Sequence, residues 1–269
     1  LEGIAVQLCY TPSLILPPTL LLTPQYLQKF QHTCLETCFS VERSPRCNDG
    51  KPPIHYAAWK GHLEVYQLIA QSLEDKNPSE YKSVTPLHLA SGNGQIEVCK
   101  FIMEKLVDKS PRTIKGDTPY HTAASAGQLD VCRLFMETLT DKTPLSLEGY
   151  TPLHLAAGGN HLEVCKAILE TTEVENPASN NGFTPLHDAA VADHFKVIQL
   201  LIDNGVDRRV TYYGETPIQL AASHGHLRSC LVLMENFQDI FLFFKGLWNY
   251  RSPKAVGLIA GLCGAVLFM

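Results

Sequence analysis

Histidine recurs at a fixed place in this chain, and histidine is both a zinc ligand and a general base. It ends each copy of a Thr-Pro-Leu-His-like segment, and the copies follow one another at 33 residues, with 32 before the last. The column contains His55, His88, His121, His154 and His187, with Gln219 in the sixth copy. Zinc needs several ligands about 2 Å from one point, which a ladder spaced by helix packing, about 10 Å, cannot supply. We therefore predict structural imidazoles that bond backbone across a loop.

A second histidine column lies in the turn that follows each small-residue pair: His62, His161, His194 and His226. Turns lie at the surface and are mostly hydrated. We predict that these histidines are solvated turn residues.

Cysteines offer the other metal chemistry. Cys34, Cys38 and Cys47 lie near His55, but their spacing lacks the paired C-x2-C knuckles of a strong zinc motif. An irregular or capping segment at residues 1–48 is the favoured interpretation, and the start at Leu1 predicts a fragment or an uncertain gene-model start. Four further cysteines share one repeat position: Cys99, Cys132, Cys165 and Cys230. Buried unpaired thiols suit a reducing compartment, which predicts a cytosolic or nuclear location.

Composition and motifs narrow the function classes. The formal net charge is −5, without a clustered basic face, which argues against a nucleic-acid partner. The chain has no nucleophile elbow, phosphate-binding loop, dinucleotide fingerprint or zinc-protease motif. We therefore predict a non-enzyme with no catalytic residues, no metal and no cofactor.

The elements that hold these residues repeat. In residues 151–183, Thr151 is a natural N-cap and Pro152 fits the first helical position. The small pair Ala156-Ala157 permits close helix packing, and Gly158-Gly159-Asn160 ends the helix. A second helix follows, with Leu162, Val164, Cys165 and Ile168 at helical spacing. No helix of this length is stable alone, so each unit needs its neighbours.

A 33-residue unit with T-P-L-H-x-A, a Gly-His turn and an L-E-V-C second helix resembles the ankyrin repeat. The resemblance covers about residues 49–236 and implies an all-α solenoid of helix pairs with projecting β-hairpin loops. It also implies protein binding through those loops and a concave row of first helices. Most units carry Asp-Lys-x-Pro or Glu-Asn-Pro in place of the usual Gly-Ala-Asp. The predicted units are 49–81, 82–114, 115–147, 148–180, 181–212 and 213–236.

The resemblance places partner contacts just before Thr-Pro and just after the small pair. Exposed aromatic residues there are typical interface anchors, and four rings are expected along one edge of units four to six. The residues predicted to bind a partner are Trp59, Lys60, Lys82, Asp117, Glu148, Tyr150, Phe183, Val191, Tyr212, Tyr213, Glu215 and His224.

The composition changes after the sixth unit. Residues 237–254 predict an amphipathic aromatic helix, and residues 255–269 are apolar but shorter than the 20 or so residues of a full span. This segment is either a partial transmembrane helix with a basic cytosolic flank or a hydrophobic cap of the stack.

We therefore expect a monomeric scaffold or adaptor that binds other proteins, is cytoplasmic and associates with a membrane through residues 237–269. The alternative is the cytosolic ankyrin domain of an ion channel or acyltransferase, cut at its first span.

Overall fold

The computed structural model describes residues 52–71, 73, 75–106, 108–172, 176–234 and 239. These residues form two compact units, one within residues 1–114 and one within residues 115–269. The predictions for Cys34, Cys38, Cys47 and residues 255–269 lie outside the described residues, as does all of residues 237–254 except Asp239.

The described residues of the first unit form two helix pairs. Its helices are α1 (Pro53–Lys60), α2 (Leu63–Gln71), α3 (Pro86–Gly92) and α4 (Ile96–Lys105). A single 3-10 turn, Tyr81–Ser83, precedes the second pair. The first helices α1 and α3 pack against each other, and so do the second helices α2 and α4.

In the described part of the second unit there are four helix pairs. Its helices are α5 (Pro119–Ser125), α6 (Leu129–Thr138), α7 (Pro152–Gly158), α8 (Leu162–Thr171), α9 (Pro185–Val191), α10 (Phe195–Asp203), α11 (Pro217–His224) and α12 (Leu227–Leu233). The first helices form one row, in which α7 lies between α5 and α9, and α9 packs against α11. The second helices α6, α8, α10 and α12 form a parallel row behind it. The prediction of an all-α repeat of stacked helix pairs is confirmed.

Local sequence explains where the helices start. Thr85, Thr118, Thr151, Thr184 and Thr216 are N-caps in extended backbone, and a proline follows each one at the first helical position. All five form a capping box with the side chain three residues later. The turns after the first helices need a positive φ, and Asn160 and Asp193 supply it at 61° and 60° where other repeats use glycine.

Within each unit, the interior lies between the two rows of helices. The small pairs are fully buried, as Ala156 and Ala157 are, and allow the second helices to approach. The cysteines that share one repeat position are buried in these interiors, Cys99 in the first unit and Cys132, Cys165 and Cys230 in the second. All four thiols are free, and burial raises the pKa of each to about 12. These thiols are therefore protonated at neutral pH and have little nucleophilic character.

Tight turns form the described loops, which precede α3, α5, α7, α9 and α11. The described residues contain no regular strand, and their one isolated antiparallel bridge joins Tyr212 to Glu215. Backbone hydrogen bonds link successive loops within the second unit, from Leu147 N–H to the Lys115 carbonyl and from Asn180 N–H to the Glu148 carbonyl, both at 2.9 Å. Among the described residues, no helix is long and apolar enough to cross a membrane.

Candidate partner-binding surface

The histidine of each Thr-Pro-Leu-His segment joins its own helix cap to the following loop. In the second unit, Nδ1 of His154 accepts the Thr151 backbone N–H at 3.1 Å. Its Nε2 lies 3.0 Å from the carbonyl of Phe183, in the next loop. His121 makes the same pair of bonds, with Nε2 2.9 Å from the Tyr150 carbonyl. The predicted bond across the loop is present, and it ties one repeat to the next.

Burial fixes the charge state of these rings. It lowers the pKa of His154 to about 4, with smaller lowering by the charges of His121 and His187 and an opposing effect of the hydrogen bond to Phe183. Burial likewise lowers the pKa of His187 to about 4, against the hydrogen bonds to the carbonyls of Glu215 and Val210. Both rings are therefore neutral at pH 7, with Nε2 as the donor and Nδ1 as the acceptor.

The second histidine column forms hydrogen bonds in the opposite direction, to the preceding repeat. Histidine hydrogen bonds between repeats, in either direction, are called joints below. His161 Nε2 bonds the Ser125 carbonyl, His194 Nε2 the Gly158 carbonyl and His226 Nε2 the Val191 carbonyl, each at 2.9 Å. Each acceptor is the last residue of the first helix in the preceding repeat. The prediction that these are solvated turn residues is therefore wrong for these three, because their rings fold back onto exposed helix-end carbonyls.

Four of the predicted aromatic residues form one continuous row in the second unit. The ring centroids of Tyr150 and Phe183 are 6.5 Å apart, those of Phe183 and Tyr212 4.7 Å, and those of Tyr212 and Tyr213 4.5 Å. Tyr150 also lies 5.0 Å from the ring of His154. The row, called the aromatic row below, is thus anchored on the buried histidines and half-exposed along its length.

Tyr213 ends the aromatic row and is its most exposed member, at 77 % of its full surface. It occupies the first central position of a two-residue turn, where Tyr213 has φ 48° and Gly214 has φ 80°. Tyr212 and Glu215 exchange both backbone hydrogen bonds, at 2.9 Å each, as the ends of a hairpin do. Two positive φ values are typical of a type I′ turn, which favours Asn-Gly. Tyrosine at this position therefore carries a conformational cost with no compensating burial.

The remaining predicted residues of the second unit differ in their exposure to solvent. Glu148 is exposed at a loop tip, whereas Asp117 and Glu215 are half-buried. Val191 offers its carbonyl to His226 rather than to solvent. His224 is exposed at the end of α11, and its ring stacks on that of His226 with centroids 5.8 Å apart.

Three predicted residues belong to the first unit. The Lys60 ammonium lies 3.9 Å from the centre of the Trp59 ring, and that ring meets Tyr56 edge to face at 5.4 Å. Lys82 is exposed at a loop tip with φ 65°, and its carbonyl accepts the Ile114 N–H at 3.0 Å. The Lys60 ammonium therefore already covers one face of the Trp59 ring.

Comparison with protein-family models gives overlapping matches to one model, ankyrin repeats (3 copies), at residues 26–113, 68–145, 87–178, 136–212 and 172–243. Together these matches cover well over half of the chain. The chain belongs to the ankyrin repeat family. Ankyrin repeats generally mediate protein–protein interaction. No curated protein matches the chain.

Asp188 is the feature of these ankyrin repeats that the sequence analysis missed. It follows His187 on α9, and its Oδ2 is buried without a hydrogen-bond partner. Burial raises the pKa of this carboxyl to about 8. The signal was present in the sequence, because the same position holds no other acid in the six repeats: Tyr56, Leu89, Thr122, Leu155, Asp188 and Leu220.

The described part of these repeats brings no three histidine, cysteine or acidic side chains together as metal ligands. In His121 and His154, both ring nitrogens form hydrogen bonds with backbone groups. The loops and helix ends of the repeats thus offer a partner contact area and charged side chains.

Proposed function

We propose that this ankyrin repeat protein is a non-catalytic scaffold or adaptor. Its partner protein would contact the loops and the first-helix ends of the second unit, on the surface that the family resemblance describes as concave. The observation that carries the proposal is the exposed ring of Tyr213 at the end of the aromatic row. A ring held in an unfavourable backbone conformation without burial is explained by a contact made outside the chain.

The way the row is supported favours binding. Phe183 and Tyr212 are fixed by their neighbours and by the His187 ring, which lies 5.2 Å from Phe183 and 6.3 Å from Tyr212. Rings that are already ordered lose little conformational entropy when a partner covers them. Glu148 and Glu215 flank the row and would favour a partner with a basic segment.

The experiment compares Tyr213→Asn with the wild-type full chain. Asparagine removes the ring and is favoured in a type I′ turn, so the loop keeps its conformation. Proteins retained by the immobilised chain are quantified by mass spectrometry, and the melting temperature is measured in parallel. We expect retention of the specific partner to fall by about tenfold, the loss of one interface anchor. The melting temperature should stay unchanged or rise.

Lys166→Ala provides the matched control, since Lys166 is exposed on the second-helix row, away from the loops. It should leave retention unchanged. Equal retention by wild type and Tyr213→Asn would show that the aromatic row is not the binding surface. Alanine at Phe183 is a poorer test because its ring supports Tyr150, Tyr212 and His187.

We further propose that the array acts as a monomer and that residues 237–269 associate with a membrane. The four free buried thiols support a location in the cytosol. The basic residues Lys245, Arg251 and Lys254 before the apolar segment support a cytosolic flank on that side. Deleting residues 237–269 should move the protein from the membrane fraction to the supernatant. Aggregation of the shortened chain would instead indicate that the segment caps the last repeat.

A further inference from the structure

Asp188 stands where its counterparts in adjacent repeats are apolar. Leu155 occupies the position one repeat earlier and Leu220 the position one repeat later. Nothing in the capping or packing of α9 requires an acid here, because Thr184 and His187 complete the cap. A half-buried carboxylate in a row of leucines therefore lowers the stability of the unliganded fold.

The carboxylate has no partner of its own within the described chain. Oδ2 is buried without a hydrogen bond, and no ion pair to Asp188 forms among the described residues. Oδ1 lies beside Gly158, at the end of the adjacent first helix. A Cβ placed on Gly158 would stand 3.7 Å from this oxygen, an ordinary van der Waals distance, so the missing side chain leaves a methyl-sized space next to it.

The Asp188 carboxyl also interacts electrostatically with the aromatic row. The pKa of Tyr150 is raised, first by burial and then by the charge of Asp188, followed by those of Glu148 and Tyr212. Asp188 is therefore within electrostatic reach of the Tyr150 hydroxyl, at one end of the aromatic row. Tyrosine rings and a desolvated carboxylate both attract a cation, and the protein's net charge of −5 adds to this attraction.

We propose that Asp188, Gly158 and Tyr150 form a subsite that receives one basic side chain, lysine or arginine, of a partner protein. This inference rests on the proposed function and specifies which type of partner side chain the surface binds. The cation would pair with the Asp188 carboxylate, occupy the methyl-sized space at Gly158 and lie against the aromatic row.

The observations favour a side-chain cation over other positively charged ligands. A metal ion would need further ligands, and the described residues bring no three potential ligands together. A single desolvated carboxylate within electrostatic reach of a tyrosine matches an ammonium or a guanidinium on a flexible stem. Burial raises the pKa of Asp188, and a bound cation would reverse this by stabilising the ionised form.

The test observes the Asp188 carboxyl carbon directly. The full chain is labelled with ¹³C-aspartate, and Asp188→Asn identifies the resonance. Nα-acetyl-lysine methylamide and Nα-acetyl-arginine methylamide are titrated at pH 7, with the norleucine compound as the uncharged control. We expect the resonance to move towards the ionised position with either cationic probe, at a concentration at least about tenfold lower than any effect of the norleucine compound. The two probes decide between ammonium and guanidinium.

Gly158→Ala is the graded variant. Position 158 has helical backbone, so alanine fits, and its methyl group would narrow the space beside Oδ1. It should weaken the response to the cationic probes severalfold without unfolding the protein. An unchanged response in this variant would place the cation elsewhere and overturn the proposed geometry.

Failure of this inference is distinguishable from failure of the proposed function. If the cationic probes move the Asp188 resonance no more than the norleucine compound does, the subsite is refuted, whatever Tyr213→Asn does to partner retention. If the probes bind but Tyr213→Asn retains partners normally, the subsite stands and the aromatic row is not the main anchor.

Discussion

The histidine of each Thr-Pro-Leu-His segment and the residue after it lie side by side on the same short helix, yet they differ in how they vary. The histidine position is almost uniform, and Gln219 takes over its bond to the cap, with Oε1 accepting the Thr216 N–H at 2.9 Å. The next position holds tyrosine, leucine, threonine or aspartate. The uniform position connects repeat to repeat, whereas we propose that the variable position contributes to partner binding at Asp188. Under this proposal, adjacent residues of one short helix serve stability and recognition.

Acidification gives the largest expected effect on the uniform column. The pKa of His154 and His187 is about 4 in the fold and about 6.5 when unfolded, so the unfolded chain binds more protons between these values. Their contribution is fully present above pH 6.5 and is lost as the pH falls to 4, by about 3 kcal/mol for each histidine. Urea unfolding at a series of pH values measures it.

The double variant His154→Gln, His187→Gln is the control for this slope. Glutamine keeps an acceptor for the cap and does not titrate, as Gln219 shows in the sixth repeat. The difference in unfolding free energy between variant and wild type should depend on pH only below about 6.5. A difference that is constant from pH 4 to 7 would mean that these histidines are already accessible to protons.

The variable column gives a slope of opposite sign at Asp188. Its pKa is raised to about 8 against an ordinary value near 4, so the folded state binds the extra proton in this window. Stability is therefore lost as the pH rises from 4 to 8. Asp188→Leu, which copies Leu155 and Leu220, should be more stable than wild type at pH 8 by about 5 kcal/mol, and by much less at pH 4. Equal gains at both values would show that packing, not charge, limits this site.

Breaking one joint has an intermediate effect. His154→Ala leaves the Thr151 N–H and the Phe183 carbonyl without the ring that bonds both, and it opens a cavity at a fully buried residue. We expect a loss of about 3 kcal/mol in unfolding free energy by urea denaturation at pH 7. His154→Gln should recover the bond to the cap and lose roughly half as much. If alanine and glutamine are equally destabilising, the cap bond contributes little.

The smallest effect is expected at Tyr120, which replaces the leucine of the segment in the third repeat. Its hydroxyl is buried without a hydrogen-bond partner, and its ring packs 5.8 Å from that of Phe135. Tyr120→Phe removes only the hydroxyl and should stabilise the protein by about 1 kcal/mol in thermal unfolding. Destabilisation would indicate that an ordered water satisfies the hydroxyl.

Sequence patterns predicted those parts of the fold that depend on local rules. Thr151 as N-cap, Pro152 at the first helical position and the buried pair Ala156-Ala157 all follow from backbone chemistry and the stride, and the structure confirms them. The proposed repeat boundaries stay a prediction. The binding roles of the twelve surface residues also stay predictions, although the structure shows which of their rings meet.

Contacts between repeats were harder to predict. His161 bonds a carbonyl 36 residues earlier, and a turn histidine carries no local sign of such a partner. Asp188 was missed because the repeat pattern is defined by residues that the repeats share. Asp188 differs from its counterparts, since it is the one acid at its repeat position. Its neighbour Gly158 lies one repeat away, so this contact has no local signal in the sequence.

The histidine joints also determine where the chain can change length. His121 and His154 reach 29 residues forward, and His161 and His194 reach 36 residues back. Around the shorter fifth repeat both spans shrink by one, to 28 for His187 and 35 for His226. Both shortened spans include the turn from Tyr212 to Glu215. This turn has two central residues, whereas the pairs Ser146–Tyr150 and Ser179–Phe183 enclose three, so it absorbed the missing residue while both joints closed. Insertions or deletions should be tolerated at that turn, whereas the same change inside a helix pair would misalign donor and acceptor on either side.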